Sequence, residues 1–203
     1  MFSLKKACCA AFLALALALP AHAADFSTKD LKSMSVFLPN VTELGFMDVD
    51  AAAFLDEKAP GDMIRFGIWH NYVNNFKSRI KRCRDKGCPW GSLTIDGKFV
   101  QESLKRYFDC ELKNLPTVED SDPPYHFDGR LYHFEGADGE ATYYAAVKKA
   151  ARTADGLVRM SGTVYNAEDE KDVLGTFTAV ARPHEWNGKK TWALLELKTT
   201  VKE

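Results

Sequence analysis

The chain has no strong excess of charge of either sign and few cysteines. Its 203 residues include 27 Lys or Arg and 28 Asp or Glu, which gives a formal net charge of −1. Proteins that bind nucleic acid over a broad surface are normally basic, so this balance argues against a nucleic-acid partner. The five cysteines show no paired C-x-x-C spacing of the kind that indicates structural zinc. The sequence therefore predicts neither a metal site nor another cofactor.

Motifs of common catalytic sites are also missing. There is no G-x-S-x-G nucleophile elbow and no phosphate-binding glycine loop. No H-E-x-x-H motif of a zinc protease occurs either. After the first 23 residues no apolar run is long enough to cross a membrane, so no transmembrane segment is expected there. These absences favour a binding protein over an enzyme, and no catalytic residue is predicted.

The N-terminus has the three-part pattern of an export signal. Lys5 and Lys6 precede an apolar run over residues 7–19, and small residues end at Ala23. We expect a signal peptide over residues 1–23 that is removed, and a periplasmic or secreted protein. The remaining 180 residues, 24–203, are enough for one domain with its own core.

Hydrophobic periodicity divides this domain into three parts. Residues 24–60 are predicted to be an irregular lead-in with a short strand. Residues 63–110 are predicted to be helical, with a long helix over 63–82 capped by Asp62 and a shorter one over 98–108 capped by Asp96. Residues 124–200 alternate apolar and polar side chains between short turns, which is typical of an antiparallel sheet.

The predicted fold class is α+β. A long N-terminal helix and a shorter helix would pack on a curved antiparallel meander of five or more strands. The first hairpin of the meander would turn at Asp128-Gly129 as a two-residue type I′ loop. His126 and His133 would then share the exposed face of this hairpin, where two imidazoles alone do not make a metal site.

The long helix carries the predicted ligand-binding residues. At 100° per residue, Phe66, Val73, Phe76 and Ile80 fall in one core-facing stripe with Trp69. Asn71 and Asn74 are expected on the solvated side. Four residues form the predicted rim of a cavity between helix and sheet: Trp69, His70, Tyr72 and Asn75. The alternative is that His70 and Asn75 only hydrogen-bond nearby backbone.

Three cysteines follow the predicted export signal. Since exported proteins meet oxidising conditions, we expect a disulfide. A Cys83–Cys88 bridge is favoured, because Gly87 lets the chain turn sharply between them. Cys110 bridging to either of these is the rival pairing, and a metal site would need a distant histidine as a further ligand.

Several segments together resemble a group of known proteins. FLPNVTEL, RFGIWHNYVNNFKSRI, YFDCEL, YHFDGRLYHF and the closing TWALLELK resemble uncharacterised exported bacterial proteins. Their layout is similar to that of the nuclear-transport-factor-2-like and cystatin-like folds, and loosely to secreted inhibitors of cell-wall endopeptidases. The resemblance implies a long helix packed on a curved antiparallel sheet. It carries no functional residues over to this chain.

Three functions are consistent with these patterns. The first is an exported binding or interaction domain without catalysis, whose partner is an unknown small molecule, cell-envelope component or protein. The second is an enzyme of the same cone-like fold with His70 as acid or base, which requires an acidic partner. The third is a secreted inhibitor or envelope structural protein that uses the basic stretch 77–86 or an exposed sheet edge.

Overall fold

The computed structural model describes residues 26–56, 59–122, 124–136 and 143–201. The predicted signal peptide lies outside these ranges. The described residues form a mixed α+β structure with two antiparallel sheets, of five and four strands. The predicted fold class is therefore confirmed, although the long helix is preceded by three shorter ones.

The segment before the long helix is mostly helical rather than irregular as predicted, and it contains one short strand, Val49–Asp50. Ser27 begins the first helix through a capping box, in which its hydroxyl accepts from the Asp30 amide while the Asp30 carboxylate accepts from the Ser27 amide. Met34 and Phe37 then recur at helical spacing and are buried. The elements of this segment are α1 (Thr28–Phe37), α2 (Pro39–Thr42), β1 (Val49–Asp50) and α3 (Ala51–Phe54).

The long helix is α4 (Gly61–Arg79), and it ends three residues earlier than predicted. Ile80 takes an extended conformation there and begins strand β2 (Ile80–Arg82). Pro60, without a side-chain hydrogen bond, occupies the N-cap, so Asp62 lies in the first turn instead of capping the helix.

The shorter helix matches its prediction closely. It is α5 (Gly97–Phe108), which follows strand β3 (Leu93–Asp96) directly. The Asp96 carboxylate accepts a hydrogen bond from the Lys98 amide, so the predicted cap is confirmed.

The sheet region divides between two sheets. Its strands are β4 (His126–Phe127), β5 (Leu131–Phe134), β6 (Tyr143–Arg152), β7 (Val158–Asn166), β8 (Asp169–Trp186) and β9 (Lys189–Val201). The order is β1-β9-β8-β7-β6 in the five-stranded sheet and β2-β3-β5-β4 in the four-stranded one. Strands β6 to β9 form the predicted meander. The hairpin β4–β5 does not join it, because β5 pairs with β3.

The hairpin register also differs from the prediction. His126 pairs directly with His133, and Phe127 pairs with Tyr132. The connection between the two strands therefore spans residues 128–130 rather than two residues, and the two histidines face each other instead of lying diagonally.

The helices pack on the five-stranded sheet and protect its edge. α5 contacts both α4 and β9, and α1 lies along β6. The Ser35 hydroxyl accepts from the Val147 amide at 2.9 Å, and the Thr42 hydroxyl donates to the Tyr143 carbonyl at 2.9 Å. These bonds satisfy backbone groups of an edge strand that would otherwise be unpaired.

Within the described ranges, no helix combines the length and apolar character needed to traverse a lipid bilayer.

Candidate functional site

The structure does not bring the four predicted rim residues onto one surface. Trp69 and Tyr72 face the four-stranded sheet, where their rings lie 6.3 and 6.2 Å from that of Phe134. The Trp69 indole donates to the Tyr125 hydroxyl at 2.8 Å. Asn75 has a non-helical backbone inside α4, with φ −135°. His70 points toward α5.

His70 is sealed between α4 and α5, with 3% of its surface exposed. Its Nδ1 lies 2.9 Å from the Ser103 hydroxyl and its Nε2 lies 3.3 Å from the Tyr107 hydroxyl. Burial, with smaller contributions from Arg106 and Arg79, lowers the pKa of His70 to about 3. The imidazole is therefore neutral at ordinary pH. The hydrogen-bond partners of its two ring nitrogens are hydroxyl groups and not carboxylates.

Asn71 extends this polar network and is fully buried, which corrects its predicted place on the solvated side. Its amide nitrogen lies 2.8 Å from the Gly67 carbonyl, 3.0 Å from the Phe99 carbonyl and 2.9 Å from the Ser103 hydroxyl. Its carbonyl accepts from the Arg79 guanidinium at 3.0 Å. These bonds join α4 to α5, so we assign the network a structural role.

A second cluster forms beside the four-stranded sheet, where Cys83, Cys88 and His133 meet. The two sulfur atoms lie 3.5 and 3.4 Å from Nδ1 of His133, and the three ligand atoms are all within 4.8 Å of one another. Cys83 continues the β2–β3 ladder, because its amide donates to the Ser92 carbonyl at 2.8 Å. Gly87, between the cysteines, donates its amide to the Asp85 carboxylate at 2.9 Å in the connecting turn.

Asp128 holds His133 from the other side. Nε2 of His133 lies 3.1 Å from Oδ2 of Asp128, and the other carboxylate oxygen accepts from the amides of Arg130 and Leu131 at 2.8 and 2.7 Å. The pKa of Asp128 is lowered to about 2, mainly by the hydrogen bond from the Leu131 amide. In a neutral imidazole, an ionised Asp128 favours the tautomer with the proton on Nε2, in which the Nδ1 lone pair faces the sulfur atoms.

An aromatic pair lies beside His133. The Trp90 indole stacks on the His126 ring at 3.7 Å between centroids, and His126 lies 5.9 Å from His133. The His133 side chain is only 14% exposed, so the prediction that it lies on an exposed face is wrong.

The three cysteines of the described ranges are free thiols, so the predicted disulfide is not supported. Cys83 and Cys88 are nevertheless neighbours in space. Burial raises the pKa of the Cys110 thiol to about 11, which makes it a poor nucleophile.

An open groove of about 640 Å³ runs across strands β6, β7 and β8. Strand pairing aligns Lys149 with Ser161 and Ala151 with Arg159 on neighbouring strands. Since side chains alternate along a strand, these residues lie on the sheet face opposite the buried Met160. The exposed part of the groove therefore lies on the outer face of the five-stranded sheet, with Ala150, Met160 and Ala179 lining it from between these residues, and no α4 residue lines it. Its side wall consists of Phe26 and Leu31.

No family model matches the chain, and no curated protein or solved structure is significantly similar to it.

Proposed function

We propose that the protein is an exported binding protein without catalysis of its own, and that its ligand lies in the outer groove. The observation that carries this proposal is that cationic and apolar side chains line the same open groove. The buried setting of His70 supports a binding role over the enzyme alternative, because an acid or base must reach its substrate.

The groove lining favours an anionic ligand with an apolar portion. Lys148, Lys149 and Arg159 line it against a single acidic residue, Glu196. Opposite charge attracts the ligand and orients it. An apolar portion would cover the wall of Phe26 and Leu31 and remove their surface from water. A long-chain carboxylate or an acidic peptide with apolar residues has this chemistry.

Calorimetric titration with dodecanoate tests this proposal, with dodecyltrimethylammonium as the ligand of opposite charge. We expect the carboxylate to bind and the ammonium not to bind. A Lys149→Glu, Arg159→Glu double variant should weaken dodecanoate binding by at least about tenfold, because two attractive charges become repulsive. Lys171→Glu, an exposed position outside the groove lining, is the matched control and should bind like the wild type. Equal binding of the two ligands, or an unchanged affinity in the double variant, would contradict the proposal.

Export is the second part of the proposal and rests on residues 1–23. Expression of the full gene in a bacterial host, followed by N-terminal sequencing of the protein from the periplasm or medium, tests it. We expect a chain that begins at Ala24. An unprocessed cytoplasmic chain would contradict it.

A further inference from the structure

We propose that Cys83, Cys88 and His133 form a tetrahedral metal site of the Cys₂His type, which takes Zn²⁺ or a chemically similar borderline divalent cation. This site is separate from the outer groove and does not depend on the function proposed for it.

The spacing of the three donor atoms fits such a cation. Tetrahedral zinc has bonds of about 2.3 Å to sulfur and about 2.0 Å to nitrogen, which places sulfur and nitrogen ligands about 3.5 Å apart. The observed separations from His133 Nδ1 are 3.5 Å to Cys83 and 3.4 Å to Cys88. Both sulfur–nitrogen separations therefore match those of a tetrahedral site, and the two sulfur atoms lie within 4.8 Å of each other.

The hydrogen bonding of the cluster also points to a cation. His133 has one lone pair on Nδ1, since its other nitrogen faces Asp128. A single lone pair cannot accept well-aligned hydrogen bonds from both Cys83 and Cys88. A cation between the three atoms uses a lone pair from each of them at once. The His70 ring, by contrast, has a separate hydroxyl partner for each nitrogen.

The surroundings provide the support that metal ligands usually have. Asp128 fixes the orientation of His133 through Nε2, in the carboxylate–histidine arrangement common behind zinc ligands. Backbone amides in turn fix Asp128. His126 is stacked on Trp90, so the fourth coordination position is left to water or an added ligand. Two thiol ligands select zinc-like ions over Mg²⁺ or Ca²⁺, which prefer oxygen.

Cobalt binding by the full chain tests the proposal. The protein is reduced with a phosphine, freed of metal with a chelator, and titrated with Co²⁺ without oxygen. We expect one Co²⁺ per chain with a thiolate-to-cobalt charge-transfer band and tetrahedral visible bands. Zn²⁺ should abolish both bands and should raise the melting temperature of the protein, because it binds only the folded state.

Variants distinguish this cluster from other thiols. Cys88→Ser should lose charge-transfer intensity, because one thiolate ligand is removed, and His133→Gln should lose the tetrahedral bands. Both variants should bind Co²⁺ at least about tenfold more weakly than the wild type. Asp128→Asn should keep the bands but weaken binding by about 10- to 100-fold, as expected for a positioning residue. Cys110→Ser is the matched control and should behave like the wild type. Circular dichroism checks that each variant is folded.

Three results would overturn the proposal. The first is the absence of a thiolate-to-cobalt band in reduced wild-type protein. The second is an equal loss of the band in Cys110→Ser. The third is a full melting-temperature response to Zn²⁺ in a folded Cys88→Ser variant. None of these results bears on dodecanoate binding, so the two proposals fail separately.

Discussion

Two histidines of this protein occupy opposite chemical settings. His70 lies between α4 and α5, and each of its ring nitrogens has its own hydroxyl partner. His133 lies in the four-stranded sheet, and its Nδ1 is shared by two thiols. The first arrangement is complete within the protein, whereas we propose that a metal ion completes the second. The comparison shows that two histidines of low exposure can differ in whether each ring nitrogen has a partner of its own.

The helix interface around His70 should therefore behave as structure. Replacing Asn71 with Ala should lower the free energy of unfolding by roughly 3 kcal/mol, because the buried Ser103 hydroxyl and the partly buried groups of Phe99 and Arg79 lose a partner. Denaturant unfolding measures this effect.

Asn74→Ala is the control on the same helix. The exposed Asn74 side chain donates to Glu43, so its loss should cost less than about 1 kcal/mol. A similar cost for both variants would contradict the structural role of the His70 network.

Acidification should destabilise the protein through His70. Its pKa is about 3 in the folded protein and about 6.5 when unfolded. Between these values the unfolded chain binds a proton that the folded chain does not, so stability falls as the pH falls. We expect a loss of about 3 kcal/mol from pH 6.5 to pH 4, measured by denaturant unfolding as the difference between the wild type and His70→Gln.

His126→Gln is the control variant, since His126 lies outside this network, and it should keep the acid dependence that comes from His70. An acid dependence that is the same in wild type and His70→Gln would show that His70 titrates normally and is not sealed as described.

The smallest effect on the free energy of unfolding is expected at the exposed C-terminal end of α4. Phe76→Ala should lower the free energy of unfolding by less than about 1 kcal/mol, because the Phe76 side chain is 43% exposed. Phe66→Ala, on the same helix but fully buried, should cost about 3–5 kcal/mol. Equal costs in thermal or denaturant unfolding would contradict the division of α4 into a buried and an exposed part.

Local patterns predicted much of the fold. The Asp96 cap and the apolar spacing that follows it located α5, and alternating side chains located the strands of the meander. The helical wheel placed Phe66 correctly but put Phe76 in the core. A wheel assumes an uninterrupted helix, whereas the backbone of α4 is non-helical at Asn75. A helical wheel also does not show over what length of a helix other elements pack against it.

The cysteine–histidine cluster could not be predicted in the same way. Cys88 and His133 are 45 residues apart in the chain. They meet only because β5 pairs with β3, which pairs with β2. Strand order across a sheet is a long-range property that short patterns do not contain. The available signals were the spacing of Cys83 and Cys88 after the long helix and a histidine on a hairpin strand.

The most direct test of the Cys83–Cys88–His133 site is X-ray absorption spectroscopy of the reduced, zinc-loaded protein. We expect a four-coordinate zinc ion with two sulfur neighbours at about 2.3 Å and nitrogen or oxygen neighbours at about 2.0 Å. A shell of only nitrogen and oxygen would contradict it.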